Sequence, residues 1–321
     1  MSGSEFEIIR RYFKRQQPQR DDVIAGIGDD AALLHVPADT ELVVCMDTLV
    51  AGVHFPESSA AAAIGHKALA VNLSDLAAMG AAPAWATLSL TMPDSDPVWL
   101  EDFSQAFFRL ADRYDVQLVG GDTTRGPLSV TVQAHGFVPG GSALRRQGAE
   151  PGDRIYVTGT LGDAGLALRL GDQADPVLQQ RLDYPEPCIT AGQLLCDYAS
   201  AAIDISDGLL ADLGHLLEVD DLGASVNIDE LPRSPAFIAA SRQQPSFHEL
   251  PLSAGDDYEL CFTVPEGDCN GMEMALSSQS IECTAIGVIE REPGIRCHKA
   301  NGDLYQAGTD GYQHFGGETD G

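Results

Sequence analysis

The chain has 321 residues, 44% of them hydrophobic and 21% charged. That is the make-up of a globular protein with enough length for two domains, each burying its own core. Its 48 acidic residues outweigh 19 basic ones, giving a net charge of -29; this excludes general affinity for nucleic acid or an anionic membrane and leaves solubility or a demand for cations.

The opening "SEFEIIRRYFKR" (4–15) reads as an amphipathic helix and not as a leader peptide. In "GIGDDAALL" (26–34), Gly26, Gly28 and Ala31 match the G-x-G-x-x-A dinucleotide fingerprint. That motif needs a helix opening on a pyrophosphate, whereas Pro37 follows closely and Asp29 and Asp30 would repel phosphate. A Gly-Asp turn or a pair of metal ligands remains. Strands are expected at "ELVVCMD" (41–47), "AWATLSLTM" (84–92), "VQLVGGD" (116–122) and "LSVTVQAHGFV" (128–138), with helices near 60–79 and 97–114. The run 60–79 carries His66, Lys67, Asn72 and Asp75, so it is a buried helix and not a membrane span.

Turn signals at "PGG" (139–141) and "GAEPGD" (148–153) place a domain boundary there, giving domains 1–148 and 149–321. A second series follows: "RIYVTG" (154–159), helices near 162–171 and 186–200, "AAIDIS" (201–206), and a helix from 207 with Ser206 as its N-cap. Later strands are "YELCFTV" (258–264) and "CTAIGVIE" (283–290), and "GGETDG" is a disordered tail. The fold class is two-domain α/β (α+β). Seven scattered cysteines with no CxxC spacing fit reduced thiols in the cytoplasm and give no zinc framework.

Aspartates recur where this reading ends its strands: Asp47, Asp122 after Gly120-Gly121, then Asp204 and Asp207. Ligands of open α/β sheets bind at the carboxyl ends of strands. Asp75 lies in a helix apolar nearly all round, where an isolated carboxylate must protonate, pair or bind metal. Each aspartate alone has a bland reading as a cap, turn or solvated group. All-oxygen ligands favour Mg²⁺ before Ca²⁺. Neither a P-loop nor the protein-kinase motif set is present, so a phosphoryl-transfer enzyme built this way relies on metals.

Together "GIGDDAALL", "MDTLVAGVHF", "ALAVNLSDLAAMGAAP", "LVGGDTTRG", "AIDISDGLLADLGHL", "SAGDDYELCF" and "GTDGYQHF" resemble the thiamine-monophosphate kinase family, collinearly and over nearly the whole chain. That family shares an ATP-binding superfamily with aminoimidazole-ribonucleotide synthetase and selenophosphate synthetase. The resemblance implies transfer of the γ-phosphoryl group of ATP to thiamine monophosphate, several Mg²⁺ ions, and a homodimer whose N-terminal sheets join as a barrel. It puts metal ligands at Asp30, Asp47, Asp75, Asp122, Asp204 and Asp207, ATP contacts at Gly121, Asp122, Arg146 and Ser206, and thiamine contacts at His54, Asp256 and Tyr312. Cys45 and Met46 stand where the family carries hydroxyl residues, so Met46 would ligate only through its carbonyl oxygen. Asp256 stands where the family has glutamate.

The resemblance gives Asp29 a turn role, and His54 and Tyr312 have the bland alternative of packed aromatics. A phosphate-monoester nucleophile needs no general base, so no catalytic side chain is assigned. Other enzymes of the superfamily (ligases or selenophosphate synthases) and a non-catalytic acidic cation-binding protein are the competing readings. Residues 1–28 hold no cysteine of the kind a selenophosphate synthase would carry.

Overall fold

The computed structural model describes residues 4–14, 20–242 and 244–306. The chain divides into two compact units. The first holds the residues up to Leu76, Gly80–Ala143 and Asp183–Ile189; the second holds Ala77–Met79, Leu144–Leu182 and the residues from Thr190 on.

In the first unit, α1 (Glu5–Ile8) is capped by the Ser4 amide donating to Glu7 Oε2 at 2.9 Å. It widens into a π-helical turn over Ile9–Phe13 that buries Tyr12 and Phe13. The expected N-terminal helix is therefore α-helical only at its start. Strands β1 (Val23–Ala25) and β2 (Leu33–Leu34) pair with each other. They are followed by β3 (Thr40–Val50), α2 (Ala61–Ala78), β4 (Ala82–Met92), α3 (Pro97–Arg113), β5 (Gln117–Arg125) and β6 (Ser129–Pro139).

The sheet order is β3-β6-β4-β5, with β4 and β5 parallel and the other neighbours antiparallel. Strict alternation in β6 buries Val130, Val132, Ala134 and Val138 on one face. Against that face lies α2: the Cys45 thiol donates to the Asn72 carbonyl at 3.2 Å, and the Asp47 amide donates to Asn72 Oδ1 at 3.1 Å. On the opposite face Trp85 packs with Val23, Leu34, Val119 and Phe137, and its indole N–H donates to Asp22 at 2.9 Å. Along β3 that covering is missing, and Leu42, Val44 and Met46 are exposed.

The second unit contains β7 (Arg154–Thr158), α4 (Asp163–Leu170), α5 (Pro176–Asp183), α6 (Ile189–Leu195), β8 (Ala201–Asp204) and α7 (Leu209–Val219). After these come β9 (Gly223–Asn227), α8 (Pro235–Ser241), α9 (Leu250–Ser253), β10 (Leu260–Val264), α10 (Cys269–Ser278), β11 (Cys283–Glu290), β12 (Gly294–His298) and β13 (Leu304–Tyr305). Seven strands run in the order β13-β12-β9-β11-β7-β10-β8. The leucines of α7, Leu209, Leu213, Leu216 and Leu217, recur at helical spacing and pack with Ile155, Val157, Ile203 and Val226 of the sheet. The fold is thus mixed α/β, as the sequence implies. No helix among the described residues is long and apolar enough to cross a membrane.

Candidate active site

Three of the expected site residues, Asp30, Gly121 and Asp122, line one cleft of about 650 Å³ in the first unit. Its walls are the π-turn (Ile9, Phe13, Lys14), the loop 26–32 and β5. Asp29 serves the turn itself, its carboxylate accepting the Asp30 amide at 2.9 Å, which leaves Asp30 exposed beside the cleft. Gly121 is demanded by contact: its φ is +145°, and a Cβ there would sit 1.8 Å from the Leu88 carbonyl oxygen of β4. Only glycine lets β5 lie so close.

Neither Asp47 nor Asp122 ends its strand. β3 continues to Val50 and β5 to Arg125, because Thr48, Thr123 and Thr124 are polar but β-branched and suit a half-exposed strand. Asp47 pairs with Val132, Val132 with Leu88, and Leu88 with Gly121. Three strand spacings, about 14 Å, therefore separate Asp47 from Gly121 along that row.

Asp47 and Asp75 instead flank Cys45. Burial first, and then the charges of Asp75 and Asp47, drive the Cys45 thiol far above its usual range, so it stays protonated. Met46 exposes its side chain on the uncovered face, leaving only its backbone for a ligand on the Asp47 side. His54 lies in the turn after β3, its Nδ1 accepting the Val50 amide at 3.0 Å.

In the second unit Asp204 closes β8 and is buried, while Ser206 and Asp207 follow in a turn. The helix begins at Leu209, not at 207, and Ser206 is not its N-cap. That position falls to Gly208, which has no side chain to cap with. The acceptor is Asp212, whose Oδ2 takes the amides of Ser206, Asp207 and Gly208 at 3.0, 3.0 and 3.1 Å. Burial, with the charges of Asp204 and Asp207 adding to it, lifts the Asp212 carboxyl to about 7 against the opposing amide bonds. Sequence reasoning missed this residue, although an acid in the first turn of a helix after Ser-Asp-Gly is its signal.

Asp256 lies directly over the same turn. Its amide donates to the Ser206 carbonyl at 2.9 Å, and the Tyr258 amide donates to Ile205 O at 2.8 Å. Gly255 permits the approach, since a Cβ there would sit 2.2 Å from Ser206 O. Arg146 is exposed, in the irregular segment after Leu144. Tyr312 and the "GGETDG" tail lie outside the described residues.

Mg²⁺ fits this donor set in a particular way. Among the described residues no group of three or more His, Cys, Asp or Glu side chains is gathered to hold a metal by itself. Carboxylates come in small sets, Asp47 with Asp75 beside Cys45 and Asp204 with Asp207 beside Asp212, and a cation would relieve the repulsion within each set. One or two carboxylates completed by water and substrate phosphate is the usual coordination of Mg²⁺.

Comparison with known proteins agrees with the sequence resemblance. The family pattern described as AIR synthase related protein, N-terminal domain, matches residues 28–138, and its C-terminal counterpart matches residues 150–299. Thiamine-monophosphate kinase of Escherichia coli (strain K12) is 49% identical over 324 residues, covering 98% of this chain and 99% of that protein. The crystal structure of thiamine-monophosphate kinase from Stenotrophomonas maltophilia K279a superposes with a TM-score of 0.85 at 47% identity, over 92% of this chain and 97% of that one. AaThiL complexed with AMPPCP and TMP superposes with a TM-score of 0.76 at 32% identity, over 90% and 92% of the two chains. With identity of this level over nearly its full length, the chain belongs to the thiamine-monophosphate kinase family.

Proposed function

We propose that the chain transfers the γ-phosphoryl group of ATP directly to the phosphate of thiamine monophosphate, giving thiamine diphosphate and ADP. The observation that carries this reading is the AaThiL complex, in which a 32% identical chain of the same fold holds AMPPCP together with TMP. The carboxylates Asp30, Asp47, Asp75, Asp122, Asp204 and Asp207 supply Mg²⁺ ligands, with Met46 adding only its carbonyl. When held there, Mg²⁺ would supply charge neutralisation between the two phosphates, which favours an in-line displacement.

The chain's own residues do the positioning. Gly121 and Asp122 present the cleft edge of β5 to the nucleotide, with Arg146 and Ser206 as further ATP contacts. The Ser206–Gly208 amides are already turned onto Asp212, so that turn is fixed before substrate arrives. His54, Asp256 and Tyr312 take the thiamine end. A homodimer joined through the N-terminal sheets is part of the same reading, supported by the exposed apolar row Leu42, Val44 and Met46 on β3. So is a cytoplasmic location, which seven cysteines outside any disulfide suit.

The attacking group is a phosphate-monoester oxygen, and by analogy with other phosphomonoesters its second pKa is about 6. It is mostly ionised at pH 7 and needs no general base. Accordingly kcat is expected to stay nearly flat between about pH 7 and 9 and to fall below about pH 6. An acidic limb that disappears or shifts in His54→Gln, where the substrate's own ionisation would leave it in place, would show that a side chain accepts a proton, against this mechanism.

A further inference from the structure

The loop carrying Asp256 has an unusual backbone. Asp256 has φ +69° and Tyr258 has φ +51°, two side-chain-bearing residues in the left-handed region on either side of Asp257. Such a conformation persists only where its surroundings over-determine it. Two buried acids, Asp257 in the loop and Glu259 next to it, are tied down, and a third, Asp163, follows the glycine that binds Asp257. Asp257 accepts the Gly162 amide through both oxygens at 2.9 Å. Glu259 accepts the Thr158 hydroxyl at 2.6 Å, and that hydroxyl accepts the Leu260 amide at 2.9 Å. Asp163 accepts Ser234 Oγ at 2.6 Å and Thr160 Oγ1 at 3.0 Å.

One cation pairs with Glu259 and carries its charge toward the other two. Arg181, on α5, pairs with Glu259 through Nη2 at 2.5 Å. Although burial works against its charge, Glu259, Asp257 and Asp163 together raise its affinity for the proton. Burial in turn pushes Asp257 well above the usual carboxylate range, with Glu259 and Asp163 adding to it and Arg181 opposing it. The arginine therefore acts from α5, outside the loop. Within the loop, the Tyr258 hydroxyl donates to Asp256 Oδ1 at 2.9 Å and fixes the carboxylate assigned to the substrate. By contrast, the neighbouring Ser206–Gly208 turn is held through Asp212.

We propose that Arg181 is a positioning residue that holds the Asp256–Tyr258 loop in its left-handed form and thereby sets affinity for thiamine monophosphate, separately from affinity for ATP. The proposal rests on the thiamine-monophosphate kinase reading above. Removing the guanidinium leaves three buried acids without their shared cation, and the loop relaxes toward ordinary backbone geometry.

The test is calorimetric titration of thiamine monophosphate and, separately, of AMPPCP with Mg²⁺, into wild type, Arg181→Gln, Arg181→Lys and Tyr258→Phe. For Arg181→Gln the Kd of thiamine monophosphate is expected to rise about tenfold or more, while that of AMPPCP changes less than about threefold. Arg181→Lys keeps a cation beside Glu259 and is expected to recover most of the loss. Tyr258→Phe removes only the hydroxyl within the loop and is expected to weaken thiamine monophosphate selectively by about 3- to 10-fold, so the idea stays testable even if Arg181→Gln does not fold. Unchanged thiamine monophosphate affinity in both variants, or equal losses for the two ligands, would overturn the proposal. Wild-type protein that binds AMPPCP but not thiamine monophosphate would instead overturn the reading beneath it.

Discussion

Asp75→Asn is expected to lower kcat by about 10²–10³-fold, with excess Mg²⁺ restoring only part of it, because a carboxylate that holds a cation opposite the phosphate charge is worth several kcal/mol through that cation. The position explains why the effect should be chemical and not structural. Asp75 is half-buried on α2, between residues that are wholly buried: Leu73, Ser74, Leu76 and Ala77. Asparagine has the same shape, so the helix should pack as before. It lacks the negative charge that, with Asp47, surrounds the Cys45 thiol. Steady-state kinetics over a Mg²⁺ series, with a melting curve as control, checks this. Wild-type kcat at ordinary Mg²⁺ would remove Asp75 from the ligand set.

Gly121→Ala is expected to cripple the protein by a different route. The new methyl would lie 1.8 Å from Leu88 O and 2.6 Å from Leu88 C, on a strand whose Leu88 is itself buried, so neither partner can give way cheaply. Overpacking typically costs about 1–3 kcal/mol, and the positive φ adds about 1–3 more. Together these lower the melting temperature by roughly 5–20 °C, at about 2–4 °C per kcal/mol for a chain of this size. Gly120→Ala is the control: its nearest neighbour would be Thr87 Cγ2 at 3.9 Å, ordinary contact, and its φ is not positive. Melting curves on the pair decide it. Equal stability of the two variants would mean that β5 does not approach β4 as described.

Elements with a strong period were legible in the sequence, and those built by tertiary contact were not. "SVTVQAHGFVP" alternates so regularly that β6 could be placed by eye, and the apolar run around Asp75 gave α2. Strand ends at Asp47 and Asp122 were misplaced because an apolar run stops there while hydrogen bonding continues through threonines. β9, β12 and α10 carry short or mixed patterns that offer no clear period. Nothing local marks residues 183–189 as part of the first unit. They are held there by His66 Nε2 against Pro185 O at 2.8 Å and by Arg113 and Tyr114 on Glu186 at 2.6 and 2.8 Å. Among site residues, those in motifs could be named from the resemblance. Asp212 carries a local signal as an acid in the first turn of α7 after Ser-Asp-Gly, whereas Arg181 meets Glu259 from a distant stretch of chain and only the fold reveals it.

One incubation tests the phosphoryl transfer itself. The purified protein is given Mg²⁺-ATP and a panel of phosphate monoesters that includes thiamine monophosphate, and the products are identified by mass. Thiamine diphosphate and ADP are expected in equal amounts, with the other monoesters unchanged. ADP with inorganic phosphate and no thiamine diphosphate, or a diphosphate formed from another monoester in its place, would contradict it.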